Sequence, residues 1–413
     1  MQLKTIASLS AEQCCGCSAC HDKCPVNAIT MSEDNNGNRR PFIDNEKCIT
    51  CSLCVKVCPQ FNQKDTILGE KVSYVGFYKS KEVEFKSSSG GIFALIASYI
   101  INERQGVVYG STIIYENEIL QCKHIRIDNI DDLYLLQGSK YVQSRTDGIF
   151  KRVKEDLAIG RVVLFSGTSC QIASLQRYIG DNERLFTVDL VCHGVPKDSI
   201  FRDYIKFYEN KYKCRISNIS FRSKGLRHLG KETTYLITLN LLFPNKQSVI
   251  KISRNKSAYF SLFMNRAGYR NSCYHCSYAS LNKPGDITLG DFLPRKNEII
   301  KYGFSLQAHY SSIIINSEKG NNLWNVIAKD AVYVKIPIQE MLSHHSNLVS
   351  PSTITEQGKR LYSIYRKDGF KSLQNYVMKQ YIITESKIFI KYVICKFFRK
   401  LIDFYEKSSF KIS

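Results

Sequence analysis

The sequence contains no run of about 18 apolar residues, so no helix is expected to span a membrane. Its opening stretch, Met1-Gln2-Leu3-Lys4-Thr5-Ile6-Ala7, lacks the apolar core of a secretory signal, and no signal is expected. Cysteine is too sparse for a disulfide scaffold: there are 16 among 413 residues, against a share of roughly a tenth in such scaffolds. Acidic side chains are short, with 37 Asp plus Glu facing 58 Lys plus Arg, a net charge of +21. That excess reads either as a solvated basic surface or as a field that favours acidic partners, anionic cofactors and substrates, or anionic lipid. No nucleic-acid motif accompanies it, so nucleic acid is not an expected partner.

What remains is enough for a folded core. The length exceeds one ordinary core and implies two or three domains. A hydrophobic share of 44% supplies that core and excludes wholesale disorder.

The cysteines fall into a pattern. Cys14, Cys17, Cys20 and Cys24 precede Pro25, and Cys48, Cys51, Cys54 and Cys58 precede Pro59; each set reads C-x2-C-x2-C-x3-C-P, and the second repeats the first 34 residues on. Two-cluster bacterial ferredoxins use this run. Three thiolates two residues apart wrap one [4Fe–4S] cluster, and the fourth, ahead of proline, crosses to the other. The expected sets are Cys14, Cys17, Cys20 with Cys58, and Cys48, Cys51, Cys54 with Cys24. A zinc site is the alternative, but zinc takes four ligands, usually as two separated C-x-x-C pairs. Between the halves, Ala28–Met31 and Pro41–Ile43 flank Asn35-Asn36-Gly37-Asn38, the pattern of a hairpin with an Asn-Gly turn. Cys15 is expected to be inert. Metal-ligand spacing implies reduced thiols and a cytoplasmic setting.

Residues 62–71 read as a polar linker, after which the pattern becomes α/β. Val72–Tyr78 is strand-like, and Ser87-Ser88-Ser89-Gly90-Gly91 leads into an apolar helix from about Ile92 to Ile101. Such a turn presents backbone N–H groups to a phosphate, or simply caps the helix. Arg161–Phe165, a helix through Gln171–Tyr178 and Leu185–Val191 form a strand–helix–strand crossover, so the two strands should be parallel. Cys170 and Cys192 then share the carboxyl edge of one sheet, where ligands bind in open α/β folds. With Cys273 and Cys276 they make a four-thiolate set suited to a third cluster. Two unrelated buried cysteines and a separate C-x-x-C, free or holding zinc, are the other reading. Cys122, Cys214 and Cys395 lack ligand spacing and read as packing residues. His193 is either a proton relay or a satisfied structural residue. From about Thr355 the chain turns helical. Lys387, Lys391, Lys396, Arg399 and Lys400 interleave with Ile388, Phe389, Val393, Phe397, Phe398 and Leu401, a pattern for peripheral membrane contact or for packing on the domain or a partner.

Ser88-Ser89-Gly90-Gly91, Gly138-Ser139-Lys140-Tyr141, Gly167-Thr168-Ser169-Cys170-Gln171, Cys192-His193-Gly194-Val195-Pro196, Cys273–Cys276 and Asp286–Phe292 occur in that order. On these residues the chain resembles the coenzyme F420 hydrogenase/dehydrogenase beta-subunit family, fused to a two-cluster ferredoxin domain. The resemblance implies an α/β fold (α+β overall): a ferredoxin-like domain at 1–64, a mixed-sheet flavin core in two parts at 72–150 and 151–345, and a basic helical extension at 346–413. It implies an oxidoreductase that passes electrons between [4Fe–4S] clusters and FAD to reduce or oxidise coenzyme F420 or another organic substrate. The alternative is an electron-transfer component that feeds a partner oxidoreductase and has no substrate of its own. By resemblance, Ser88, Ser89, Gly90, Gly91, Gly138, Ser139, Lys140, Tyr141 and Thr168 hold FAD, and Cys170, Cys192, Cys273 and Cys276 hold the third cluster. Three departures bear on the substrate pocket: Ser169 stands where the family has proline, Lys283 where it has arginine, and Leu293 where it has tryptophan.

Overall fold

The computed structural model describes residues 5–61, 71–223, 236–305 and 308–409, with backbone alone at 388, 389 and 391–409. The expected linker, its last residue aside, and the side chain of Cys395 lie outside these residues. In chain order the strands are β1 (Ile29–Glu33), β2 (Arg39–Ile43), β3 (Val72–Tyr78), β4 (Val107–Glu116), β5 (Ile119–Ile127), β6 (Val163–Ser166), β7 (Leu185–Leu190), β8 (Arg215–Ser223), β9 (Leu236–Phe243), β10 (Lys246–Ser253), β11 (Ile287–Phe292), β12 (Tyr310–Ile315) and β13 (Ala331–Ile336).

β1 and β2 pair antiparallel, Ile29 opposite Ile43 and Glu33 opposite Arg39. At the expected turn Gly37 takes φ +76°, and the Asp34 carboxylate accepts from the N–H of Asn36 and Asn38, each at 2.9 Å. The sequence repeat is also a conformational one. Gly16 and Ser18 take φ of 67° and 61°, and Thr50 and Ser52, their equivalents, take 51° and 59°. Two left-handed residues between cysteines bend each loop sharply enough to aim three thiols inward. Only Gly16 does so without a side-chain cost.

The core sheet has eight strands in the order β13-β3-β12-β11-β7-β6-β4-β5. β4, β6, β7 and β11 are parallel neighbours, and β5, β12 and β13 pair antiparallel to theirs. The sheet is therefore mixed, and residues on both sides of position 150 contribute strands to it. The expected crossover is present: β6, the helix Ser169–Ile179 and β7 form one unit with parallel strands. Ile92, Ile96 and Ile100, four residues apart on the helix Ile92–Asn102, are buried in the same cluster as Leu164, Ile287 and Ile313. Each such burial contributes about 1.5–3 kcal/mol.

A second sheet, β10-β9-β8, shares a core with the helix Asp198–Tyr212 and the long C-terminal helix Glu356–Ser409. Gly369, at φ 78° and ψ 176°, interrupts that helix. Leu361, Phe370, Leu373 and Val377 are buried in this second cluster, so the first part of the extension packs on the core. The basic alternation expected farther on falls, from residue 388, on side chains outside the description, Ile390 aside. Among the described residues no helix is long and apolar enough to cross a membrane.

The cysteine-rich module sits directly on the core. The Asp22 carboxylate accepts from the N–H of Gly148 at 2.7 Å and of Phe150 at 3.1 Å, capping the helix Ile149–Ala158 from another part of the chain. A Cβ on Gly37 would lie 2.3 Å from Ser199 Oγ, so the hairpin tip needs glycine for close approach as well as for its φ. Glu33 pairs with Arg202.

Candidate functional site

Cys14, Cys17, Cys20 and Cys58 line one hollow. Cys24, Cys48, Cys51 and Cys54 line a second. The structure thus brings together the crossed sets, each triplet with the proline-preceding cysteine of the other half. All eight are free thiols, and each hollow offers its crossed set of four soft sulfur donors, the first with Cys15 besides, in an otherwise largely apolar wall, which suits iron–sulfur clusters. Among the described residues no three His, Cys, Asp or Glu groups close on a point as a single bound ion requires. Two further atoms fit a cluster. The hydroxyls of Ser18 and Ser52, repeat-equivalent and buried, have no hydrogen-bond partner, and each lines its own hollow. Inorganic sulfide or thiolate sulfur would satisfy both.

The two hollows differ in exposure. Cys14, Cys17, Cys20 and Cys58 are buried, whereas Cys51 is exposed, beside exposed Ile49. The first is the inner centre and the second the outer one.

Sequence distance hides how the third set forms. Cys170 opens the helix after β6, and Cys192 follows β7. After Cys192 the chain pairs with the stretch before the C-x-x-C: Arg270 N donates to Val195 O and Lys197 N to Gly268 O, each at 2.9 Å, and Pro196 bridges Tyr269. Gly194, at φ 121°, leaves room for the Tyr269 ring and Cys273. This clasp carries Cys273 and Cys276, on and just after the turn Asn271–His275, to Cys170 and Cys192. The four thiols are close enough to perturb one another: burial pushes Cys192 up to about 12, with Cys170 and Cys276 adding to the rise. Burial likewise raises Cys273 and Cys276. Hydrogen bonding from Cys15 and Thr168 instead holds Cys170 down, to about 7. Cys15, expected to be inert, therefore lies between Cys17 of the inner centre and Cys170 of the third set.

Two of the three departures meet here. Lys283 is buried, and its ammonium donates to Tyr278 O at 2.7 Å and stands 3.5 Å from Ser169 Oγ. The third, Leu293, is exposed.

The residues expected to hold FAD divide. Ser139 N donates to Ser88 Oγ at 2.7 Å, so the two segments meet, and among the described residues none beyond its chain neighbours lies within 4 Å of a Cβ built on Gly138, where φ is +85°. Gly91, at φ +80°, begins the helix Ile92–Asn102. Ser89 and Gly90 are tied to β12 through Tyr310 O and Ser311 Oγ, and a Cβ on Gly90 would lie 2.5 Å from Gly76 O. The Lys140 ammonium donates to Leu135 O, Leu136 O and Gln137 O, which uses all three of its protons. Tyr141 packs on Phe221, Phe260 and Phe263. Thr168 Oγ1 is 3.1 Å from Cys170 Sγ, at the third cysteine set. His193 is exposed, and its carbonyl accepts from Ser352 Oγ at 2.6 Å.

The sequence reading missed the residues that join module to core. Arg270 donates to Arg39 O at 2.7 Å, Cys14 O at 3.2 Å and Gln143 Oε1 at 2.6 Å. Gln143 donates to Cys15 O and Gly16 O, at 3.0 and 3.1 Å, and Thr146 Oγ1 to Cys17 O at 2.8 Å. Four consecutive carbonyls of the first cysteine loop are held by the core. The position of Arg270, three residues ahead of Cys273, was the available signal.

Residues 160–340 match the family described as the C terminus of the coenzyme F420 hydrogenase/dehydrogenase beta chain. Residues 13–62 match the 4Fe-4S dicluster domain. By these matches the core is similar to the beta subunit of coenzyme F420 hydrogenase/dehydrogenase, and the module before it to a two-cluster iron–sulfur domain. Over 57 residues the chain is 37% identical to one component of an ion-translocating oxidoreductase complex from Methanosarcina acetivorans, covering 14% of this chain and 20% of that one. Over 48 residues it is 38% identical to an uncharacterized ferredoxin from Methanocaldococcus jannaschii, covering 12% and 61%. It thus spans about a fifth of the first relative and three fifths of the second. A solved structure, the F420-reducing [NiFe] hydrogenase complex from Methanosarcina barkeri, is similar at TM-score 0.41 and 15% identity, over 78% of this chain and 93% of that one. The dicluster match supports [4Fe–4S] clusters in the N-terminal module.

Proposed function

We propose that electrons pass between the outer centre, the inner centre, a third [4Fe–4S] cluster at Cys170, Cys192, Cys273 and Cys276, and FAD, which serves a coenzyme F420-like or other organic substrate. One observation carries this reading. Gln143 donates to Cys15 O and accepts from Arg270, whose carbonyl accepts from Cys273 N, and the Cys15 thiol is perturbed by both Cys17 and Cys170, so the inner centre and the third cysteine set are neighbours. The bound flavin would exchange single electrons with clusters and a hydride with substrate.

The chain's own part is positioning. Gly91 and Gly138 are the places where backbone could approach a pyrophosphate closely. Ser88 holds their two segments together. Lys140 anchors the second segment, its ammonium spent on the carbonyls of Leu135, Leu136 and Gln137. Arg270, Gln143 and Thr146 fix the inner loop against the core, so the spacing of the two sulfur sets does not drift.

A second reading rests on the exposed outer centre. Cys51, Ile49 and a basic chain offer an acidic partner oxidoreductase a docking face, and the protein would then relay electrons without a substrate of its own. Anaerobic protein, assayed for acid-released flavin and for turnover of F420 with an artificial donor, tests the proposal. Stoichiometric FAD with turnover supports it. FAD without turnover favours the relay. Protein that keeps its iron but binds no added FAD contradicts it.

A further inference from the structure

Arg270 is a fully buried cation, 1% exposed, and among the described residues no ion pair joins it to a carboxylate. Its Nη1 and Nη2 donate to neutral oxygens, those of Gln143, Cys14 and Arg39, and its Nε is buried without a partner. The acid that feels its charge is Asp198, which also faces Arg145 and Arg39, while Asp147 is paired to Arg39. Positive charge is in excess at this point. An uncompensated buried charge costs several kcal/mol, so a structure retains one only where something balances it.

The balance is at hand on both sides. The Arg270 guanidinium donates to the carbonyl of Cys14 of the inner centre at 3.2 Å, and the Arg270 carbonyl accepts from the N–H of Cys273 of the third set at 3.0 Å. Four thiolates around an oxidised [4Fe–4S] core leave a net negative charge, and each electron taken up adds another. We infer that Arg270 is the shared counter-charge of the inner centre and the third centre, tying the docking of the module to electron passage between them. This rests on the reading that the third cysteine set holds a cluster. A cation fixed between two anionic centres favours the reduced form of each, raising both potentials. The outer centre, which has no hydrogen bond from Arg270 among the described residues and whose Cys51 is exposed, is left alone.

The test compares Arg270→Gln, which removes the charge, with Arg270→Lys, which keeps it, in full-length protein reconstituted anaerobically. Iron is counted first, then each centre is titrated by redox-poised electron paramagnetic resonance. Arg270→Gln should lower the reduction equilibrium constant of two centres by at least tenfold, about 59 mV for a one-electron couple. Arg270→Lys should stay within that range of wild type, and the outer centre should not move in either. Full iron with unshifted potentials, or an equal shift in all three centres, overturns the inference and leaves the third cluster standing. A wild-type count of about eight irons rather than twelve removes the third cluster, and the sharing with it. If Arg270→Gln loads incompletely, iron missing from the inner and third sets alone supports the inference. Iron missing from the outer set, or from only one of the inner two, overturns it.

Discussion

The guanidinium of Arg270 donates to the backbone carbonyl of Cys14 at 3.2 Å. A residue beside the C-x-x-C pair of the core thereby holds the first cysteine of the module's repeat. With Gln143 and Thr146 it satisfies the carbonyls from Cys14 through Cys17, so the inner loop is shaped by the domain it docks on.

Gln143→Ala removes two of those bonds and one from Arg270. Buried carbonyls left without donors cost about 1–3 kcal/mol. The anaerobic variant should keep its iron yet release the module to limited proteolysis sooner than wild type. Equal protection would show that the grip on the loop contributes nothing.

Crossed ligation makes a paired prediction. Cys58→Ser should impair the inner centre, with Cys14, Cys17 and Cys20, and spare the outer one. Cys24→Ser should do the reverse. Iron counts would fall by about four or by one per variant, depending on whether a cube is lost whole or opens at one corner. Spectra showing that Cys58→Ser damages the centre of Cys48, Cys51 and Cys54 would reverse the assignment.

For FAD the informative substitution is Ser88→Ala, which breaks the contact to Ser139 N without changing backbone conformation. A weakening of FAD binding of about tenfold is expected, in line with a lost hydrogen bond of 1–2 kcal/mol. Gly91→Val would be a poor test, because a side chain at φ +80° strains the helix start whether or not flavin binds there. Unchanged FAD affinity in Ser88→Ala would remove this pair of segments from the site.

His124 gives a pH prediction. Burial holds its imidazole down at about 4 from an ordinary 6.5, with its ring between Ser144 Oγ and Ser166 O. A depressed basic group adds stability that is complete above about 6.5 and lost as the pH falls toward 4. At the limit this is on the order of 3 kcal/mol. Urea titrations at pH 7 and pH 5 should show a smaller loss on acidification for His124→Gln than for wild type. Equal losses would place the acid sensitivity elsewhere.

Much of this architecture was legible in the sequence. The doubled cysteine run marked both hollows because spacing within a short loop leaves little freedom, and the Asn-Gly pair marked the hairpin between them. The crossover of β6 and β7 followed from an apolar run, a small-residue turn and an amphipathic stretch. What was not legible depends on tertiary contact. Cys15 looked like a spare thiol because nothing local shows Cys170 beside it. Arg270 and Gln143 bear no motif, since hydrogen bonds to carbonyls leave no signature in the residues that accept them. The pairing of Val195 and Lys197 with Arg270 and Gly268, which assembles the third set, joins segments more than seventy residues apart and involves main chain alone. Ser169 and Lys283 read as separate departures from a family pattern, yet they touch.

The electron path through the third cysteine set is tested most directly by Cys273→Ser combined with Cys276→Ser, followed by iron content and flavin reduction in the same preparation. The account predicts about twelve irons in wild type and about eight in the variant, with module clusters that still reduce and flavin that reduces markedly more slowly. Iron content and flavin reduction both unchanged would mean that these cysteines hold no cluster and that electrons take another route.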